Sequence, residues 1–168
     1  DLKPEMSAYE VTEKLLAAIA GDRFDFILVN YANCDMVGHT GDFEAAKKAV
    51  QVVDGCLGRV LAAVKAKGGA AIVTSDHGNA EKMWDDERNE PYTAHTIGPV
   101  PLILALAPPE ADCAKLADNG SLEDVSPTLL GLMGIPQPKE MTGKDLRVNV
   151  GGGVCQLDSK ANEKQTRS

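Results

Sequence analysis

No stretch of this sequence approaches the roughly 18 consecutive apolar residues of a membrane span, and its opening, Asp1-Leu-Lys-Pro-Glu-Met6, lacks the basic-then-apolar order of a secretory signal. No membrane partner is expected, and the cytoplasm is the expected compartment. Basic residues are scarce: 17 Lys and Arg stand against 25 Asp and Glu, a formal charge of -8. Nucleic-acid binding relies on clustered Lys and Arg, so no nucleic-acid partner is expected. Cysteine is sparse and scattered. Cys34, Cys56, Cys113 and Cys155 include no pair at zinc-finger or redox-motif spacing, and reduced thiols are the default in a chain of this length. Position 1 is not methionine, which leaves processing, an expression product and excision from a longer chain all open.

What is present suffices for one domain with its own core, since 168 residues with 43% hydrophobic content need no staples. Ser7-Ala-Tyr-Glu10 reads as a capping box ahead of Val11, Leu15, Leu16 and Ile19, and predicts a helix over residues 8–20 that ends at Gly21. The apolar, β-branched run at 24–30 predicts a buried strand. From Phe43 the apolar positions 43, 46, 50, 53, 57, 60, 61 and 64 form one stripe of a long helix, capped by Asp42 and closed by Gly68-Gly69. Ala70 to Ser75 predicts a second buried strand, and Pro101 to Leu106 a third. Ser126-Pro127 opens a short helix that Gly134 ends.

Residues 79–94 are charged, hold the one tryptophan, Trp84, and show no period, so they read as a surface excursion. From Arg147 onward the glycine run and polar ending predict a disordered tail, which sets a domain at 1–147 and a tail at 148–168. Strand, helix, strand order predicts an α/β fold with a mostly parallel sheet flanked by helices, where sites collect beyond the carboxyl ends of strands.

The three histidines fall near such ends, in Asp35-Met-Val-Gly-His39, Ser75-Asp76-His77-Gly78 and Thr93-Ala-His95-Thr96. Imidazole nitrogen and carboxylate oxygen together suit borderline divalent ions such as Zn²⁺ and Mn²⁺. The candidate ligands are Asp35, His39, Asp76, His77 and His95. A helical turn would place Asp35 and His39, four apart, on one face, with Gly38 keeping the backbone compact. An acid near a helix start beside a surface histidine is the plainer alternative. Asp76 and His77 are adjacent, so they reach one ion only if the chain turns sharply, and a structural turn capped by Asp76 is the plainer alternative there. His95 taken singly reads as a polar histidine with satisfied partners, and its weight comes from the other two. Asp54 borders the long helix's stripe and either supports a metal ligand or, more plainly, is a solvated flank; Asn79 and Glu81 either orient ligands or cap a short helix.

The run Val73-Thr-Ser-Asp-His-Gly-Asn-Ala-Glu-Lys-Met83, with Asn33-Cys-Asp-Met-Val-Gly-His-Thr-Gly41 before it and Thr93-Ala-His-Thr96 after it, closely resembles the cofactor-independent (2,3-bisphosphoglycerate-independent) phosphoglycerate mutases of the alkaline phosphatase superfamily. Asp1-Leu-Lys-Pro-Glu-Met-Ser7, Pro99-Val-Pro-Leu102 and Val125-Ser-Pro-Thr-Leu129 extend the resemblance over about residues 1–147. It implies an alkaline-phosphatase-like domain, present as its C-terminal part. It implies that Asp35, His39 and His95 hold one Mn²⁺, and that Asp76 and His77 contribute to a second. The remaining ligands of the second ion, including the serine nucleophile that carries the phosphoryl group between 3-phosphoglycerate and 2-phosphoglycerate, are then expected outside this chain. So is the domain that grips the phosphoglycerate substrate. The complete enzyme is expected to be a monomer, and the isolated chain inactive. The ligands alone fit two rival readings: another two-metal member of the superfamily, such as a phosphopentomutase, phosphatase or sulfatase, and a metal-binding module without catalysis.

Overall fold

The computed structural model describes residues 3–108 and 114–149. Its elements run α1 (Ala8–Ala20), α2 (Asn33–Gly38), α3 (Phe43–Ala66), β1 (Ala70–Thr74), β2 (Trp84–Asp85), β3 (Glu90–Pro91), β4 (Leu102–Leu106), β5 (Ala114–Leu116), a 3₁₀ turn (Leu122–Asp124), α4 (Val125–Met133) and β6 (Arg147–Asn149). The one domain expected from length divides into two compact units. One takes in the residues up to Lys67 together with Thr74–Pro101, and the other Gly68–Val73 with the residues from Leu102 onward.

In the first unit α3 packs on both α1 and α2. The predicted bounds of α1 hold, but Ser7 makes no side-chain cap bond. Its φ of -106° and ψ of 17° lie outside the extended region from which an N-cap side chain reaches back. The Ala8 N–H is met instead by the Glu5 carbonyl at 2.9 Å. Asp42 does cap α3, its carboxylate accepting from the Ala45 N–H at 2.9 Å, and Gly68 closes the far end at φ +66°.

The buried face of α3 differs from the predicted stripe. It carries Ala45, Ala46, Ala49, Val52, Cys56 and Val60, while Phe43 and Val50 are exposed. A helix approached closely by two others buries its small side chains and leaves the bulky ones at the flanks. One cluster joins Ala45, Ala46 and Ala49 to Val37 of α2 and to Met83; another joins Val52 and Cys56 to Ala8 of α1. Asp54 is exposed, as its flank position implies. Cys34 and Cys56 are free thiols; Cys113 and Cys155 lie outside the described residues.

Among the described residues the strands form three two-stranded pairings, β1 with β4, β2 with β3 and β5 with β6. The expected strand at 24–30 joins no ladder among the described residues and is exposed along its length. Apolar pattern alone does not make a strand, because its backbone groups need a partner segment. β1 and β4 fall within the two other predicted runs, both largely half-buried.

The stretch read as a surface excursion holds a hairpin. Trp84 pairs with Pro91 and Asp85 with Glu90, antiparallel, and Asp85 Oδ1 accepts from the N–H groups of Glu87 and Arg88 in its turn.

In the second unit, α4 begins one residue before the predicted Ser126 and is led in by a capping box of Ser121 and Asp124. Gly134 ends it in the left-handed region, as expected. The predicted boundary at 147 is overrun, since Arg147–Asn149 pairs antiparallel with Ala114–Leu116. The ladder supplies from a distant segment the order that local composition does not. The rest of the expected tail, 150–168, lies outside the described residues.

Candidate metal centre

α2 is six residues long and its placement decides the site. The buried Asn33 donates from Nδ2 to the carbonyls of Pro4 and Glu5 at 2.8 and 2.9 Å, which pins the helix start, while Val37 turns into the core beside Met83. Asp35 and His39 then share the accessible side, as their spacing predicts. A second segment reaches the same place from sequence positions 93–96, where the Thr96 N–H donates to the Gly78 carbonyl at 2.9 Å in an isolated antiparallel bridge. That bridge aligns His77 and His95, whose rings stack with centroids 3.8 Å apart.

Asp35 Oδ1, His39 Nε2 and His95 Nε2 form a nearly equilateral triangle. The two nitrogens are 3.0 Å apart, and the oxygen is 3.2 Å from His39 and 3.0 Å from His95. His39 Nδ1 lies 2.6 Å from the Thr93 carbonyl. A carbonyl only accepts, so Nδ1 carries the proton and Nε2 presents its lone pair, the arrangement typical of a metal-bound histidine. Three such atoms at this range are held together by a shared cation or, without one, by a proton on His95 Nε2. Two donors each about 2.1 Å from a common ion and about 90–100° apart are separated by roughly 3.0–3.2 Å, so the triangle fits a Zn²⁺- or Mn²⁺-sized ion.

His77 lies next to the triangle, with Nε2 3.9 Å from Asp35 Oδ1. The sharp turn that its pairing with Asp76 requires is present, closed by the Ser75 hydroxyl donating to the His77 carbonyl at 2.6 Å. Asp76 stays at the rim, its carboxylate 3.7 Å from His77 Nε2 and its side chain 77% exposed. Of the five predicted ligands, Asp35, His39 and His95 converge, His77 lies beside them and Asp76 is at the rim. Burial pushes up the thiol of Cys34, next to Asp35 in sequence.

Around the ligands stand further groups, including the two that the sequence left between orienting a ligand and capping a helix. Asn79 is buried and donates from Nδ2 to Asp35 Oδ1 at 3.0 Å. Glu81 accepts from the Thr96 hydroxyl and, at 2.7 Å, from the Asn79 N–H. The Thr96 bond is the main cause holding the Glu81 carboxyl below the ordinary glutamate range. Gly78 follows the two ligand candidates at that turn. It has no positive φ, and its role is close approach: a β-carbon there would collide with Glu81 and Thr96. The Tyr92 hydroxyl donates to the His95 carbonyl at 3.2 Å.

Comparison with known proteins places the chain in a family. The model of the metalloenzyme superfamily matches residues 1–137. The chain belongs to that superfamily. A 2,3-bisphosphoglycerate-independent phosphoglycerate mutase of Thiobacillus denitrificans is 59% identical over 146 residues, which is 87% of this chain and 28% of that protein. The enzyme of the same name numbered 2 in Methanosarcina acetivorans is 52% identical over 149 residues, 89% of this chain and 28% of that protein.

A crystal structure of Leishmania mexicana phosphoglycerate mutase at low cobalt concentration superposes with a TM-score of 0.77 at 30% identity, covering 88% of this chain and 29% of that one. The fold of this metalloenzyme chain is thus alkaline-phosphatase-like, mixed helices and strands, as a partial domain. The chain spans about 28% of the length of the curated relatives it matches. Among its described residues no helix is long and apolar enough to cross a membrane.

Proposed function

We propose that this chain is the metal-holding part of a 2,3-bisphosphoglycerate-independent phosphoglycerate mutase. The single observation that carries the reading is the Asp35, His39 and His95 triangle, and the names of the relatives supply the reaction. Those three residues hold one divalent ion. Asp76 and His77, one step along the same surface, contribute to a second, and Mn²⁺ is the ion proposed for both. Bound there, divalent ions neutralise phosphoryl oxygens and ease deprotonation of an attacking hydroxyl.

The chain's own residues do the positioning. Thr93 fixes the tautomer of His39 through its carbonyl, the Gly78 to Thr96 bridge sets His95 against His77, and the roughly one-third to one-half exposure of Asp35, His39 and His95 leaves the cluster open to a phosphorylated ligand. A serine supplied from outside this chain takes the phosphoryl group from 3-phosphoglycerate and returns it to the 2-hydroxyl, while a further domain grips the glycerate. The complete enzyme acts as a cytoplasmic monomer in glycolysis, and the isolated chain does not turn over.

The test is a chimera in which this chain replaces the matching portion of the Thiobacillus denitrificans relative, assayed for conversion of 3-phosphoglycerate to 2-phosphoglycerate and for bound Mn²⁺ after dialysis. The expected result is conversion, with His39→Ala lowering it at least about 100-fold, no less than loss of a ligand's supporting partner costs. A chimera that binds Mn²⁺ and hydrolyses phosphate esters without mutase turnover would favour a phosphatase instead. Full activity in His39→Ala would remove the triangle from the mechanism.

A further inference from the structure

We infer that Asn79 is a positioning residue of the metal centre, acting through Asp35, and that Gly38 is glycine because Asn79 needs the space. The inference rests on the reading that Asp35, His39 and His95 hold an ion. Asn79 lies 44 residues from Asp35 in sequence yet is 5% exposed directly behind it. Its Nδ2 donates to Asp35 Oδ1 at 3.0 Å, the same oxygen that faces both histidines, and lies 3.5 Å from the Asp35 carbonyl and from His39 Nε2. Reversing the amide would set its oxygen against the carboxylate, so the hydrogen-bond donor is fixed on the ligand side.

The other end of the amide is fixed by sterics. A β-carbon on Gly38 would collide with Asn79 Oδ1 and lie 2.8 Å from its Cγ. Gly38 sits in α2 between the two ligands of that helix, where glycine costs helix stability, and it has no positive φ that would require it. The close approach of the amide is what the position accommodates. The backbone N–H of Asn79 is held in turn by Glu81 at 2.7 Å, so the residue is fixed at both its main chain and its side chain.

An orienting donor of this kind does two things for a carboxylate ligand. It selects one rotamer, so less side-chain freedom is lost when an ion binds, and it directs one oxygen at the histidines. Losing such a partner costs about 10–100-fold in metal affinity. A residue that merely fills space would affect affinity only as far as it affects folding.

The experiment measures the Mn²⁺ dissociation constant of the full chain from the electron paramagnetic resonance signal of free Mn²⁺, alongside the thermal midpoint of the metal-free protein. Four forms are compared: parent, Asn79→Ala, Gly38→Ala and the double variant. Asn79→Ala is expected to weaken Mn²⁺ binding about 10–100-fold. Gly38→Ala is expected to lower the thermal midpoint and weaken binding, because the new methyl displaces the amide. In the double variant the collision is gone, so the midpoint should rise above that of Gly38→Ala while affinity stays at the Asn79→Ala level. That split between stability and affinity is the signature of positioning.

If the double variant regains parent affinity together with its midpoint, or if Asn79→Ala binds Mn²⁺ as the parent does, Asn79 does not position Asp35. A parent that binds no Mn²⁺ at all would instead overturn the metal reading, and this inference with it.

Discussion

Residues 24–30 and helix α3 are both rich in apolar side chains, yet one is exposed along its whole length and the other builds two core clusters. The difference lies in where each finds its hydrogen bonds. Beyond its first turn each α3 N–H meets a carbonyl four positions back, so the helix forms from its own sequence and then offers a face to α1 and α2. The run at 24–30 can pair as a strand only against another segment, and it joins no ladder among the described residues. Phe24, Phe26 and Leu28 are left 59%, 49% and 84% exposed. Local structure is encoded locally, whereas a strand depends on what surrounds it.

The largest break in this comparison comes from the helix. Ala49 has no exposed surface and touches the cluster of Val37, Ala45, Ala46 and Met83. Ala49→Leu forces a larger side chain between α3 and α2, and overpacking of this kind costs about 1–3 kcal/mol. The urea midpoint should fall by a corresponding amount with the slope of the transition unchanged, because the same surface is exposed on unfolding. A midpoint equal to the parent's would mean that α3 does not bury this face.

The same division explains what could be read in the sequence. The bounds of α1, the Asp42 cap of α3, the Gly134 stop and the placing of Asp35 and His39 on one helical side all depend on residues within a turn or two, and all were legible. The convergence of His95 with that pair was legible only through family resemblance, since 60 residues separate His95 from Asp35. Asn79 was legible as a residue without a settled role, because its partners are Asp35 and the space above Gly38. The hairpin of Trp84–Asp85 with Glu90–Pro91 escaped because each strand is two residues long, too short to show alternation. The ladder of Arg147–Asn149 escaped because its partner is Ala114–Leu116.

Asp124 stands between the two extremes, with one local and one distant anchor. Its carboxylate accepts from the Lys144 N–H at 2.8 Å and from the Ser121 N–H at 2.8 Å, and these bonds hold it below the ordinary aspartate range. A depressed carboxyl contributes stability above its unfolded value, about 3.9, and loses it as pH falls through the lower folded value. Asp124→Asn, which replaces one acceptor oxygen by a donor, should therefore lower the unfolding midpoint at pH 7. The difference from the parent should shrink toward zero as pH is taken below 3.9. A gap that stayed constant with pH would mean that the charge does not matter to the two anchors.

The smallest effect on stability should come from 24–30 itself, and there the informative readout is association. Leu28 touches little, so Leu28→Lys should change the unfolding free energy by no more than about 0.5 kcal/mol, as exposed substitutions do. An extended, exposed apolar segment is a template for pairing with another chain, and a charge placed on it opposes that pairing. The isolated chain should therefore sediment with a concentration-dependent mass that Leu28→Lys reduces toward one copy. Equal behaviour of the two forms would mean that the segment's exposure has no consequence for association. A large loss of stability in Leu28→Lys would mean that 24–30 is held by contacts of its own, and the contrast with α3 would then rest on packing instead of hydrogen bonding.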